Sequence, residues 1–135
     1  MPNPSLLTPV GNFLYFQASD GTATGSELFR TDGTSNGTTK IFSGLTPSGA
    51  TLFEMAGLGN QLFMSTSGSG TQELWVTDGT TTGSYRSCPD RTQGCGQPFA
   101  SNPSGFAVIG GHMYFNATAL PLPGGSLGAE PFVYP

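Results

Sequence analysis

Three glutamates, Glu27, Glu73 and Glu130, recur at spacings of 46 and 57 residues, and three aspartates, Asp20, Asp32 and Asp78, each precede a glycine. Paired carboxylates hydrolyse glycosides when they stand about 5–10 Å apart. Glutamates that return with a repeat fall in separate copies of one unit, each in the same surroundings. They lack the contrast that makes one carboxyl an acid and its neighbour a base. Their recurrence instead predicts a structural place at strand edges, accepting backbone amides. The Asp-Gly turns offer oxygens suited to a hard cation, but no D-x-[DN]-x-[DN]-G spacing is present. An aspartate heading a turn bonds the amide two residues on, so these residues are expected to staple strands together, with no metal or cofactor. His112 is the single histidine. It has no further ligands to complete a metal site. It is expected in an exposed hairpin turn, at the position that Asn12 and Asn60 take. With no phosphate-loop motif either, the sequence predicts a protein that is not an enzyme.

Binding chemistry has other candidates. Trp75, with the aligned Phe29 and Phe132, offers aromatic faces of the kind that stack on a sugar ring, and the same recurrence suits packing between units. Asn36-Gly-Thr38 and Asn116-Ala-Thr118 match the N-glycosylation pattern. Cys88 and Cys95 enclose six residues with Pro89, Asp90 and Gly94, a segment able to turn back and bring the sulfurs within bridging range. A disulfide there implies an oxidising compartment; the other reading is two free thiols in a loop. A metal knuckle is ruled out by the spacing and by the lack of further cysteines.

Composition narrows the partners. Charged residues are 9% of the 135-residue chain, against about 25% in ordinary soluble domains. Arg30, Lys40, Arg86 and Arg91 are its only cations; scattered along the chain, they form no phosphate-tracking stripe, so nucleic acid is not an expected partner. No apolar run reaches the ~20 residues of a membrane span. The opening MPNPSLLTPVG has neither the basic start nor the apolar centre of a signal peptide, so a leader has been removed or the chain belongs to something longer. Gly and Pro are abundant, 21 and 11 residues, yet ten Phe and a net charge of only −4 favour a folded chain with these residues in turns. Low charge and abundant Ser, Thr and Gly suit an extracellular or cell-surface location.

Positioning all of these groups is an internal repeat. Gly11, Gly59 and Gly110 align, 48 and 51 residues apart, and three units follow: residues 1–46, residues 47–101 with the cysteine loop, and a shorter unit at 102–135. Asn3-Pro4-Ser5 is echoed by Asn102-Pro103-Ser104. Within each unit the apolar pattern is alternating or a short run, the signature of strands and not helices. Strand one covers 6–10, 52–58 and 106–109; Gly-Asn or Gly-Gly then marks a tight hairpin. Strand two covers 13–16, 62–64 and 113–115, strand three 27–31, 73–77 and 130–134, and strand four 38–42 and 84–87, with no counterpart in the third unit. The fold class is all-β: three four-stranded antiparallel propeller-like blades, the last lacking its final strand.

ELFRTDGT at 27–34 and ELWVTDGT at 73–80 closely resemble the ELWxxDGT repeat of large secreted and surface bacterial proteins. The resemblance implies propeller-like β units with no assigned catalytic activity. It weakens in the third unit, where Pro131 replaces the leucine and the DGT turn is missing.

Three blades are fewer than the four to eight that close a propeller, and an unpaired strand edge is a pairing site. The sequence therefore predicts a structural or adhesive protein whose partner is itself, as a head-to-tail filament or as two copies closing a six-bladed ring. A fragment of a longer array is the other reading of the short third unit. The functional alternative is a lectin-like module that binds cell-surface glycans.

Overall fold

The computed structural model describes residues 3–19, 21, 27–41, 52–67, 72–80, 85–87, 102–118 and 129–134. All regular structure among them is β, in three antiparallel sheets that follow the repeat. The first holds β1 (Ser5–Val10), β2 (Phe13–Ala18), β3 (Glu27–Thr31) and β4 (Thr39–Lys40) in the order β1-β2-β3-β4. The second repeats it with β5 (Leu52–Leu58), β6 (Gln61–Ser67), β7 (Gln72–Thr77) and β8 (Tyr85–Ser87). The third has three strands, β9 (Ser104–Ile109), β10 (His112–Thr118) and β11 (Ala129–Tyr134), in the order β11-β10-β9. Every sheet is an open meander.

The hairpins form where the glycine pairs stand. Val10 faces Phe13, Leu58 faces Gln61 and Ile109 faces His112 across two-residue loops, and Gly11, Gly59 and Gly110 all take φ near +60° (59°, 61° and 58°), a region a residue with a Cβ enters only at a cost. His112 departs from the expectation. The turn is made by Gly110 and Gly111, and His112 is the first residue of β10, exposed and paired with Ile109.

All three first strands carry a register irregularity, between Ser5 and Thr8, between Leu52 and Glu54, and opposite Tyr114 to Asn116. Leu6 and Gly105 sit at matching places in two of these bulges with φ of 54° and 67°. The entry asparagines Asn3 and Asn102 are likewise left-handed, with φ of 57° and 45°, a conformation asparagine tolerates better than most side chains.

The sheets stack in chain order. Val10, Tyr15, Leu28 and Ile41 of the first unit pack with Leu52, Leu62 and Met64 of the second. Phe63, Leu74 and Val76 pack with Met113, Phe115 and Ala117 of the third. Strand β6 thus sends alternate side chains into two different cores, and its residues 62–66 are all buried. The two-residue period that marks half-buried strands here serves two neighbours at once. Strand β10, which among the described residues has a neighbouring sheet on one side, keeps the alternation visible: Met113, Phe115 and Ala117 are buried while Tyr114 and Asn116 are exposed. First strands also meet one another, β1 lying against β5 and β5 against β9. On the far side of the first sheet Phe16, Ala18 and Phe29 form a separate buried cluster.

Candidate functional site

The polar groups of this molecule gather at the turns and at the junctions between sheets. Each DGT turn is closed by its own side chains. Asp32 Oδ1 accepts from the Thr34 amide at 2.9 Å and from its hydroxyl at 2.7 Å; Asp78 Oδ1 accepts from Thr80 in the same way at 2.8 and 2.6 Å. The preceding threonines complete the motif, Thr31 Oγ1 and Thr77 Oγ1 taking the amides of Gly33 and Gly79 at 3.0 and 2.8 Å. In the first unit Thr38 donates to the Thr34 carbonyl at 2.9 Å, fixing the return into β4.

The threonine hydroxyl and then the amide hold both carboxyls below the ordinary value of 3.8; at Asp78 the nearby Arg30 charge adds to this. A carboxyl whose ionised form is favoured by the fold contributes stability that is full above its unfolded pKa and is lost as pH falls through the lowered folded value. The melting temperature is therefore expected to fall as pH drops below about 4, where carboxylates begin to protonate. A protein carrying both Asp32→Asn and Asp78→Asn is expected to show a flatter profile in thermal melts from pH 6 to 2.5; an unchanged slope would refute the role of these carboxyls.

The second turn also reaches across a junction. A Cβ built on Gly79 would meet Arg30 Nη1 and lie 2.5 Å from Tyr15 Oη, so glycine permits the Asp78-Gly79 turn to settle on these two side chains of the first sheet. Arg30 in turn lies over the Phe13 ring, 4.4 Å from its centroid. At the other junction the link is a carboxylate. Glu54 of β5 accepts from the Gly105 amide at 2.8 Å and the Phe106 amide at 3.0 Å. These amides lie in the β9 bulge, where an extra residue frees backbone donors from the ladder. Bonds to ionised acceptors contribute about 1.5–3 kcal/mol when desolvated; at half-exposed Glu54, Glu54→Ala is expected to cost about 2 kcal/mol in urea unfolding. Glu54→Gln, which keeps one acceptor oxygen, should lose less. No loss in the alanine variant would contradict the clamp.

The residues singled out by spacing are dispersed. Glu27 forms an ion pair with Lys40 at 2.8 Å, and Glu73 Oε2 accepts from the Trp75 indole at 3.3 Å. They belong to different sheets, and the side chain of Glu130 lies outside the described residues, as do Asp20, Cys88, Cys95, Arg91 and the Arg86 side chain. Phe29 is buried, its ring stacked on Phe16 at 5.7 Å; Phe132 stacks on Phe115 at 6.0 Å; Trp75 packs against the core between the first two sheets. All three rings are engaged in packing. Asn36 is exposed in the turn before β4 and Asn116 is exposed on β10. Among the described residues no three His, Cys, Asp or Glu side chains converge on a point, and no helix is long and apolar enough to cross a membrane.

Comparison with protein-family models, curated proteins and solved structures finds no match. The functional reading therefore rests on the junctions. Glu54, the residue that joins β5 to β9, was hidden from sequence reasoning because its partners are backbone amides 51 and 52 residues away. One signal did mark it: a carboxylate within the otherwise uncharged run Leu52–Leu58.

Proposed function

We propose that this chain is a non-enzymatic, extracellular structural protein that acts by self-association, built from propeller-like β units. The observation that carries the reading is the state of the middle sheet. Its strand β6 is buried through 62–66 because a neighbouring sheet closes each face. A unit of this kind is completed by another unit and not by a ligand. The contacts of β1 with β5 and β5 with β9 support a blade-like arrangement, in which first strands run together along one side of the stack.

The chemistry of the surface supports the same role. Glu27 and Glu73 stand in different sheets, each with its own side-chain partner, so the pair of distinct carboxyls that glycoside hydrolysis needs does not form between them. The 9% charge content leaves little repulsion to oppose association, and the Cys88–Cys95 spacing supports an oxidising, extracellular setting. Light scattering and negative-stain imaging of the purified chain test the reading. A mass that rises with concentration toward multiples of 13.9 kDa is the expected result, and a monomer at every concentration would overturn it.

A further inference from the structure

The three sheets are copies of one pattern, so the first two state what covers the equivalent face of the third. Tyr15, Phe63 and Tyr114 each stand four residues beyond the hairpin glycine. Tyr15 is 1% exposed against the second sheet and Phe63 0% exposed against the third. Tyr114 is 38% exposed. On the neighbouring strand the equivalent positions are Arg30, Val76 and Val133. Val76 is wholly buried while Val133, directly opposite Tyr114, is 53% exposed. With His112, Pro131, Asn116 and Ile109 these side chains make a face that carries no Asp, Glu, Lys or Arg among the described residues. The same face of both preceding sheets is closed by another sheet.

The edge of this sheet is a poorer contact. Leu28, the residue equivalent to Pro131, accepts from the Ile41 amide at 2.8 Å on the side of its fourth strand. The amide of a strand residue points the same way as its carbonyl, so proline at this place removes a donor from the outer edge of β11. The opposite end of the stack is also closed, since Phe16, Ala18 and Phe29 are buried on the far face of the first sheet.

We propose that the outward face of the β9–β10–β11 sheet is a contact between two copies of this chain, packed face to face about a two-fold axis with Tyr114 and Val133 at its centre. This rests on the self-association reading and narrows it to a closed dimer. An isologous contact uses one patch twice, and the Tyr114–Val133 face is the one whose counterparts on the other two sheets are both covered. The occupant follows from continuity: sheets of this chain cover the same face twice within the molecule. Three short strands provide less than the ~800 Å² per partner of a standard stable interface, so the dimer is weak and forms with rising concentration.

Sedimentation equilibrium of the whole chain over a wide concentration range tests this, alongside Val133→Lys, Tyr114→Lys and, as a control off this face, Leu7→Lys at a residue 60% exposed on β1. Circular dichroism establishes that each variant keeps its fold; all three sites are exposed enough to tolerate lysine. The expected result is a monomer–dimer equilibrium for the native chain and for Leu7→Lys. Either face variant should weaken it by about tenfold or more, because its ammonium would be taken from water without a partner. Association that persists unchanged in both face variants would overturn the assignment of the face and leave self-association standing. Species growing beyond the dimer would overturn the two-fold contact. A native chain that stays monomeric throughout would overturn both.

Discussion

Phe63→Ala is expected to lower the free energy of unfolding by about 3–5 kcal/mol, the range for removing a large aromatic from a core that cannot collapse around the void. Phe63 is fully buried in the core between the second and third sheets. Its ring meets Tyr134 edge-on, with centroids 4.8 Å apart and planes at 80°, an arrangement worth about 0.5–1.5 kcal/mol beyond the area it buries. The substitution leaves a cavity that opens toward β10 and β11, so both sheets lose contacts. Phe53→Ala supplies the comparison. Phe53 lies on the adjacent strand and is half-exposed, and surface substitutions usually stay within about 0.5 kcal/mol. Urea unfolding of the two variants, followed by circular dichroism, should separate them by several kcal/mol. Equal losses would mean that β6 does not face a covering third sheet.

The second large effect is expected at Gly57. A Cβ placed there would lie 2.6 Å from the Pro9 carbonyl oxygen and 3.0 Å from Val10 Cγ2. The first of these is backbone and cannot rotate away, so β1 and β5 must separate for any side chain to enter. Forcing extra methyls into a filled site typically costs about 1–3 kcal/mol, occasionally more. Gly57→Ala should fall within that range and Gly57→Val at or above its top. Gly59→Ala tells the two costs apart. Gly59 has φ of 61° and nothing within 4 Å of a built Cβ, so alanine there suffers only the left-handed backbone, about 1–2 kcal/mol. In thermal melts Gly57→Val is expected to be the less stable of the two. A harmless Gly57→Val would show that β1 does not lie against β5.

Within each unit the place and order of the strands were legible, because their signals are local, although the second strands run on to Phe13–Ala18, Gln61–Ser67 and His112–Thr118, past the apolar stretches that marked them. Short apolar runs set the strands, and Gly11-Asn12, Gly59-Asn60 and Gly110-Gly111 set the turns. Of the fourth strand expected at 38–42 in the first unit, the described residues show Thr39–Lys40, and Ile41 follows into the core with its amide bonded to the Leu28 carbonyl. The staple role of Asp32 and Asp78 was also readable, since an Asx turn needs only a carboxylate and an amide two residues on.

The contacts between units were not legible. Glu54 reaches amides freed by a bulge in another sheet, and nothing in the local pattern fixes where a bulge falls. The burial of Phe29 beneath Phe16 depends likewise on cross-strand register. His112 was misplaced by one position because the hairpin of the third unit has glycine in both loop positions. Pro131 was visible as a departure from the repeat. Its consequence, a missing donor on the outer edge of β11, emerged only with the Ile41 to Leu28 bond of the first unit.

Amide hydrogen exchange read strand by strand addresses most directly the claim that each sheet is completed by the sheet packed on it. Residues 62–66 of β6, covered from both sides, should open only with the whole molecule and exchange slowest. At low concentration β10 should exchange faster, no other sheet covering its outward side among the described residues. Protection in β10 equal to or above that in β6 in the dilute protein would contradict the stacked order of the three sheets.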